Sequence, residues 1–454
     1  DFFTGRLEVA GTAEWAGGNL RFRSGAVLDI RPGGLWDHQT DADFDQFNPG
    51  AATIQVNGIL RKSAGTGITQ ANIPVVNDGL VDAKSGQLRF TLGATHTGAF
   101  TVGGTMDFGG GTHSLTTAAS VTGTGTALVS GGTVTVTANY NVGTTTVNSG
   151  AVFFENVSPD TSFTGTLIQS GGTIDGKGVF VVRTSGDWSG GTWSGTGETL
   201  LDTASTFTIS GSAARFIDAR TVNSKSTLTW VAGGTGSLQM ANGATFRNLP
   251  GAMFDAQANA QITQGVGAAT FLNNGGTVRR SVGTGTFTMG VDFGNSQFNA
   301  GGTIDPLTGT LAITKNFGHD VGGIVTGLTI LDMSAATVSI FDGGIAPGGV
   351  GGLSALTITG TVPTAQQGGF VNIDVDGAPS SDRLTVSGDI DLTGRTLNIN
   401  QLGITPFSIG QTFTIIATGG SVIGRFAVEN GKTIPGVGAF VVTYNPNSVT
   451  LTVQ

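Results

Sequence analysis

The sequence predicts an all-β protein: a right-handed parallel β-helix, with an all-β C-terminal segment that caps or extends it. Three observations carry this. Apolar residues fall in short alternating runs such as TVTVTANYNV (133–142), the period of two of a strand. No window of any length has a helical period. Gly-Gly-Thr recurs at 103, 110, 131, 171, 190, 233, 275 and 301, with several gaps near 20 residues or a multiple of it. A beat of 19–22 residues, with strands between Gly/Asn turns, fits one coil of a β-solenoid. Coils stacked about 4.8 Å apart with inward Val, Ile, Leu and Phe predict apolar ladders along a core.

Composition fits this class and excludes others. The 454 residues include 77 glycines, yet 38% are hydrophobic, so the chain is not a disordered glycine-rich tract. Charged residues are only 11%, and there is no cysteine, hence no disulfide framework and no Cys-type zinc site. A net charge of −9 argues against nucleic acid or an anionic membrane surface as partner. No stretch approaches the roughly 20 apolar residues of a membrane-spanning helix, so no membrane insertion is expected. The opening DFFTGRLEVA lacks the basic and apolar regions of a signal peptide.

A longer repeat lies over the coil beat. SGAVLDIRPGGLWD (24–37) matches NGATFRNLPGAMFD (242–255), and NGILRKSAGTG (57–67) matches GGTVRRSVGTG (275–285), both at an offset of 218. Gly33/Gly251, Asp37/Asp255, Arg61/Arg279, Ser63/Ser281 and Gly65/Gly283 coincide. Upstream, EWAGG (14–18) pairs with TWVAGG (229–234) after a small indel; downstream, SGQLRFTLGATH (85–96) pairs with TGTLAITKNFGH (308–319) at an offset of 223. The chain is therefore read as a tandem: a first module and linking coils over 1–185, a second module over 186–362, and a C-terminal segment over 363–454. Asp1 aligns with about Phe216, so the first copy is expected to be incomplete and the chain to be a piece of a longer array.

After about residue 341 the texture changes. GGIAPGGVGGLSALTITGTV, with its Pro-Gly turn, is followed by an Ile-Asp-x-Asp-Gly strand, SDRLTVSG, TGRTLNI and GQTFTII. This part resembles the end of bacterial autotransporter passengers and related large β-helical surface proteins. The upstream elements WSGG, NGATF, NNGGTVRRS and GTL resemble repeats of the same class. The resemblance implies a secreted adhesin-type scaffold located outside the cell or at a bacterial cell surface. The membrane barrel that follows such passengers is not in this chain, so the resemblance carries no mode of anchoring.

Few residues suggest chemistry. RRSVGTGTF (279–287) is basic and glycine-rich, but lacks the lysine and following helix of a phosphate-binding loop. GGTIDGKG (171–178) places Gly178 where a metal-binding hydroxyl belongs. The return of Arg61-Lys62 as Arg279-Arg280 points to a scaffold role, covering a coil edge or pairing with an acid. His96 and His319 are equivalent in the two copies, which favours structure over catalysis; His38 lies near Asp37, Asp41, Asp43 and Asp45 but has no nearby serine or cysteine nucleophile. DHQTDADFD (37–45) is the densest acidic cluster, and Asp41, Asp43 and Asp45 are the candidate Ca²⁺ ligands, against a favoured reading as a solvated acidic loop. Their counterparts Asn259, Gln261 and Thr263 suggest that the fold does not need these acids. Asp374, Asp376 and Asp382 read as turn residues. Thr-x-Thr recurs, but a flat ladder for ice or a mineral surface needs it once per coil, and the spacing is irregular. Trp188 and Trp193 read as packing residues.

The expected function is a non-enzymatic structural or adhesive rod, with surface glycans or proteins as partners and end-to-end self-association into a fibre. No cofactor is expected beyond the Ca²⁺ of the acidic cluster. The competing class is a carbohydrate-active β-helix, a polysaccharide lyase or glycosidase of tailspike type. It would require clustered carboxylates on a coil face.

Overall fold

The computed structural model describes residues 2–48, 50–156, 160–296, 301–378, 380–403 and 405–454. Every element among them is a strand or turn, and no helix is long and apolar enough to cross a membrane. Two compact units result, one of residues 1–207 with 215–222, the other of residues 208–214 with 223–454.

In the first unit, Thr12–Trp15, Leu35–His38, Ile59–Lys62, Leu80–Ala83 and Ala99–Val102 pair in parallel, each with the next. Leu35, Ile59, Leu80 and Ala99 stand in one column. A second sheet stacks Thr112–Leu115, Thr133–Val136, Ala151–Phe154 and Thr173–Asp175 in the same sense. Parallel pairing of strands about 20 residues apart is the winding of a β-solenoid. The alternation buries every second side chain: Phe22, Phe44, Phe90 and Phe100 are fully enclosed. Trp188 and Trp193 stack at 4.1 Å with 6° between their planes, inside the coil rather than on its surface.

The second unit repeats the plan with several longer coils, its column running Thr227, Met253, Thr277, Thr303 and Ile324. Phe246, Phe271, Phe293 and Phe317 form an aromatic ladder with centroids 4.8–5.7 Å apart. Offset or tilted pairs of this kind each contribute about 0.5–1.5 kcal/mol beyond their buried area. Parallel pairing continues to Leu384↔Ile416 and Thr396↔Val428. It gives way to an antiparallel hairpin, Gly438–Asn445 with Ser448–Val453, whose second strand also runs antiparallel to Thr412–Thr418.

Glycines that match at the 218-residue offset share a backbone conformation. Gly33 and Gly251 have φ of 84° and 80°, and Gly65 and Gly283 have 77° and 91°. Left-handed corners of this kind favour glycine, which is why the turn residues coincide while neighbouring surface residues drift.

Candidate functional site

The double cation resolves into two roles, set by strand parity. In Ile59–Lys62 the side chains of Leu60 and Lys62 point inward, whereas Arg61 points out. Arg61 Nε donates to Asp82 Oδ2 on the next coil at 2.8 Å, and in the second copy Arg279 Nε donates to Asp305 Oδ2 at 2.8 Å. Each arginine also stacks in register on an aspartate of the previous coil, Asp37 or Asp255. Gln39 and Gln257 donate to those aspartates at 3.1 and 2.9 Å.

The inward cations form a buried clamp. Lys62 Nζ donates to Thr40 O at 2.9 Å, Ala64 O at 3.1 Å and Asp41 Oδ1 at 2.7 Å. Arg280, at the equivalent place, donates to Ala256 O at 2.9 Å, Ala258 O at 2.5 Å, Gly285 O at 3.3 Å and Asn259 Oδ1. Thr40 and Ala258, like Asp41 and Asn259, are 218 positions apart. The same turn is therefore closed by the same contact in both copies, with an acid for a lysine and an amide for an arginine. Gly65 and Gly67 leave the room that Asp41 occupies: a Cβ on either would lie 2.2 or 2.9 Å from its carboxylate.

This revises the sequence reading of the acids. Asp41 is used by the fold, and the Lys62 hydrogen bond holds its pKa below the ordinary aspartate value. Asp43 Oδ1 accepts from Gln70 N at 2.7 Å, and Asp45 accepts from Asn19 Nδ2 at 2.6 Å and Asn72 Nδ2 at 2.9 Å. The three carboxylates thus face three separate sets of protein partners. Among the described residues no three His, Asp or Glu side chains form a group suited to a metal ion.

The histidines are all enclosed. Asn77 N donates to His96 Nδ1 at 3.4 Å, His96 Nε2 reaches His113 Nδ1 at 3.1 Å, and His113 Nε2 reaches Gly110 O at 2.9 Å. Only neutral rings with the proton on Nε2 satisfy every step of that relay. Burial lowers the pKa of His96 to about 3 and of His113 to about 4. His38 donates to Ala42 O at 2.8 Å and lies 4.7 Å from the Phe44 ring; burial lowers it to about 4.

His319 terminates a ladder that sequence reasoning missed. Asn248 donates to Asn273 at 2.8 Å, Asn273 to Asn295 at 2.7 Å, and Asn295 to His319 Nδ1 at 3.0 Å. His319 Nε2 then donates to Gly344 O at 3.1 Å, and burial lowers its pKa to about 4. The available signal was an Asn, or finally a His, at inward parity near the end of each successive strand.

Three further placements matter. Asp374 and Asp376 lie in the strand Gly369–Asp376, not in a turn. Asp374 Oδ2 accepts from Gly351 N and Gly352 N at 2.5 and 3.0 Å, and Asp382 accepts from Ser354 N at 2.7 Å and Asp374 N at 2.9 Å. These two enclosed carboxylates fasten the glycine-rich loop 346–354, and burial raises Asp382 to about 6. Threonines do stack despite their irregular sequence spacing: Thr112, Thr133, Ala151, Thr173 and Thr192 share one column. The hydroxyl face breaks at Ala151, Phe153 and Glu155, and Glu155 pairs with Lys177 at 3.7 Å. On the first coils, Glu8 and Asp29 are in register and bridged by Arg31, at 2.5 and 2.9 Å, and by Arg6. A glycosidase pair instead flanks the bond it cleaves across a cleft about 5–10 Å wide.

Concave surface in the second unit is modest. A groove of about 270 Å³ is lined by Thr235, Ser237, Asn259, Gln261, Thr286 and Thr288, directly outside the Arg280 clamp.

Fold and contacts together define a parallel β-solenoid in which Lys62, Arg280, the histidines, Asp374 and Asp382 are engaged in contacts between turns, coils and loops. No protein-family model matches the chain, and no curated protein matches it in sequence. Among solved structures it is similar to the Hap adhesin of Haemophilus influenzae, at 11% identity and a TM-score of 0.26, over 96% of this chain and 64% of that one. The fold assignment rests on the strand pairing of the chain itself.

Proposed function

We propose that the chain is a non-enzymatic structural and adhesive scaffold that works outside the cell, at a bacterial surface. One observation carries the reading: the buried titratable groups hold turns and coils together instead of converging on a cleft. Lys62, Arg280, the four histidines, Asp374 and Asp382 each bond to a neighbouring turn, coil or loop. What remains exposed is rich in hydroxyls and amides, the chemistry of reversible contact. The cysteine-free, charge-poor composition supports an extracellular setting.

The test coats beads with the chain and measures adhesion to cells and to extracellular polysaccharide, with a depolymerisation assay on the same polysaccharides in parallel. Adhesion without release of reducing ends or unsaturated sugars is expected. Depolymerisation that disappears on changing Asp41 and Asp43 to alanine would overturn the reading in favour of a carbohydrate-active enzyme.

A further inference from the structure

The two copies line the same point of the scaffold with different side chains. In the first copy these side chains bond to one another and to the backbone. Asn19 donates to Asp45 at 2.6 Å and accepts from Asp43 N at 3.2 Å, Asp43 accepts from Gln70 N at 2.7 Å, and Asn72 donates to Asp45 at 2.9 Å. In the second copy Asn19 is replaced by Ser237, Asp43 by Gln261, Asp45 by Thr263, Gln70 by Thr288 and Asn72 by Gly290. Among the described residues, Thr235, Ser237, Gln261, Thr286 and Thr288 make no side-chain hydrogen bond to one another or to any other residue. Thr235, Asn259, Gln261 and Thr286 are exposed, and Ser237 and Thr288 are half-buried.

The scaffold beneath is unchanged. Arg280 still closes the turn through Ala256 O, Ala258 O and Asn259 Oδ1, so the Asn259 wall is held in place. The result is a depression of about 270 Å³, at the small end of ligand sites. Its walls carry hydroxyls and primary amides and no ionised group, since the Arg280 guanidinium lies behind Asn259. Such walls offer donors and acceptors in comparable number, and each goes unpaired unless water or a ligand supplies its partner. A carboxylate, sulfate or phosphate would meet no cation here, and a basic peptide would meet no acid. A ligand bearing many neutral hydroxyls meets both halves of the lining.

We propose that this groove is a binding subsite for neutral oligosaccharide, one sugar unit deep, through which the second copy makes adhesive contact. The inference rests on the adhesive reading above and gives it a site and a ligand class.

The test uses the full chain on an array of neutral oligosaccharides and their sialylated or sulfated counterparts, followed by titration of a retained glycan in solution. The variants are the double substitution Gln261→Ala/Thr288→Val and, as control, Gln70→Val at the equivalent place in the first copy. Both are checked for wild-type circular dichroism. The expected result is retention of neutral glycans, a loss of about tenfold or more in affinity for the double variant, and no change for Gln70→Val. Binding should also be the same in dilute and molar salt, because no charge pair is screened. Silence of the wild-type chain towards neutral glycans, a preference for acidic ones, or unchanged affinity in the double variant would each overturn the proposal. Bead adhesion separates the two readings: if wild type and double variant adhere equally, the groove assignment falls and the adhesive function stands. If wild type does not adhere, the function itself falls.

Discussion

Acidification should unfold the first unit well above the pH at which its carboxylates titrate, and the histidines set the size of the effect. His38, His96 and His113 are buried and neutral, with pKa values near 4, 3 and 4 against about 6.5 in an unfolded chain. A group whose folded pKa is depressed contributes stability that is present above the unfolded pKa and is lost as pH falls towards the folded one. The window here is therefore about pH 6.5 down to pH 4. Within it each histidine costs about 1.4 kcal/mol per pH unit. Between pH 8 and pH 5 that amounts to about 2 kcal/mol each, or about 6 kcal/mol for three, comparable to the whole stability of many domains. Asp107, raised by burial, opposes part of this. The second unit should respond far less: His319 loses about 2 kcal/mol over the same interval, while Asp382, raised to about 6, returns about 1 kcal/mol as it takes up a proton more readily in the folded state.

Urea unfolding at pH 8, 6 and 5, followed by tryptophan fluorescence, measures this directly, since Trp15, Trp36, Trp188 and Trp193 lie in the first unit and only Trp230 in the second. The double variant His96→Phe/His113→Leu replaces both partners of the relay with apolar groups, so no orphaned ring is left except the acceptor need at Asn77 N and the donor need at Gly110 O. It should start about 1–3 kcal/mol less stable at pH 8 and then lose only about one third as much on acidification. A first-unit midpoint that is flat from pH 8 to pH 5, or an acid slope unchanged in the double variant, would refute the argument that these rings are enclosed as neutral groups.

Three other outcomes follow from the same contacts. Arg280→Met leaves three turn carbonyls inside the second unit without their donor and should cost about 3 kcal/mol, read as a lower urea midpoint of that unit. Gly65→Ala puts a Cβ 2.2 Å from the Asp41 carboxylate at a residue with φ of 77°; it should cost about 2 kcal/mol or more, whereas Ala64→Gly next to it should cost less than about 1 kcal/mol. Asn273→Ala cuts the amide ladder in the middle, removing the acceptor of one Asn248 bond and the donor to Asn295 Oδ1 and the Thr303 carbonyl. A loss of about 2–3 kcal/mol is expected, with faster amide hydrogen exchange at Asn248 and Asn295.

The solenoid was legible because its repeat obeys two periods at once: two residues along the strand and about 20 along the chain. The tandem was legible because left-handed corners keep their glycines. The clamp was partly legible: the scaffold role in which these cations pair with an acid holds for Arg61–Asp82, Lys62–Asp41 and Arg279–Asp305, and the burial of Lys62 and Arg280 was not foreseen. Once Leu60 is placed inward, strand parity places Lys62 inward as well, so a charge at an inward position was the signal of a buried contact; RKSAGTG reads as basic and exposed only if that parity is ignored. The acids at 41, 43 and 45 were taken as an addition because the second copy lacks them. At position 41 the second copy lacks the charge but keeps the contact, since Asn259 bonds to Arg280 as Asp41 bonds to Lys62, whereas the contacts of Asp43 and Asp45 have no counterpart there. The threonine column was dismissed on spacing because turns of different length separate strands that pair in register. Asp374 read as a turn residue because IDVDG suggests one, yet the alternation Val371, Ile373, Val375 continues straight through it.

Each copy divides into positions that must repeat and positions that need not. The clamp cation, the outward arginine with its aspartates, and the corner glycines repeat because each closes a coil on the one before it. The side chains just outside the clamp are under no such demand, and there the copies diverge from a self-bonded set of acids and amides to an open set of hydroxyls and amides. Divergence on an unchanged frame is what separates a presenting surface from a structural one in a stacked repeat. A catalytic solenoid would concentrate ionisable groups at such a place. Here the divergence removes charge: half-buried Asp43 and Asp45 give way to neutral Gln261 and Thr263, while the buried clamp cation and the outward arginine repeat. That inversion argues for a surface that holds rather than one that cuts.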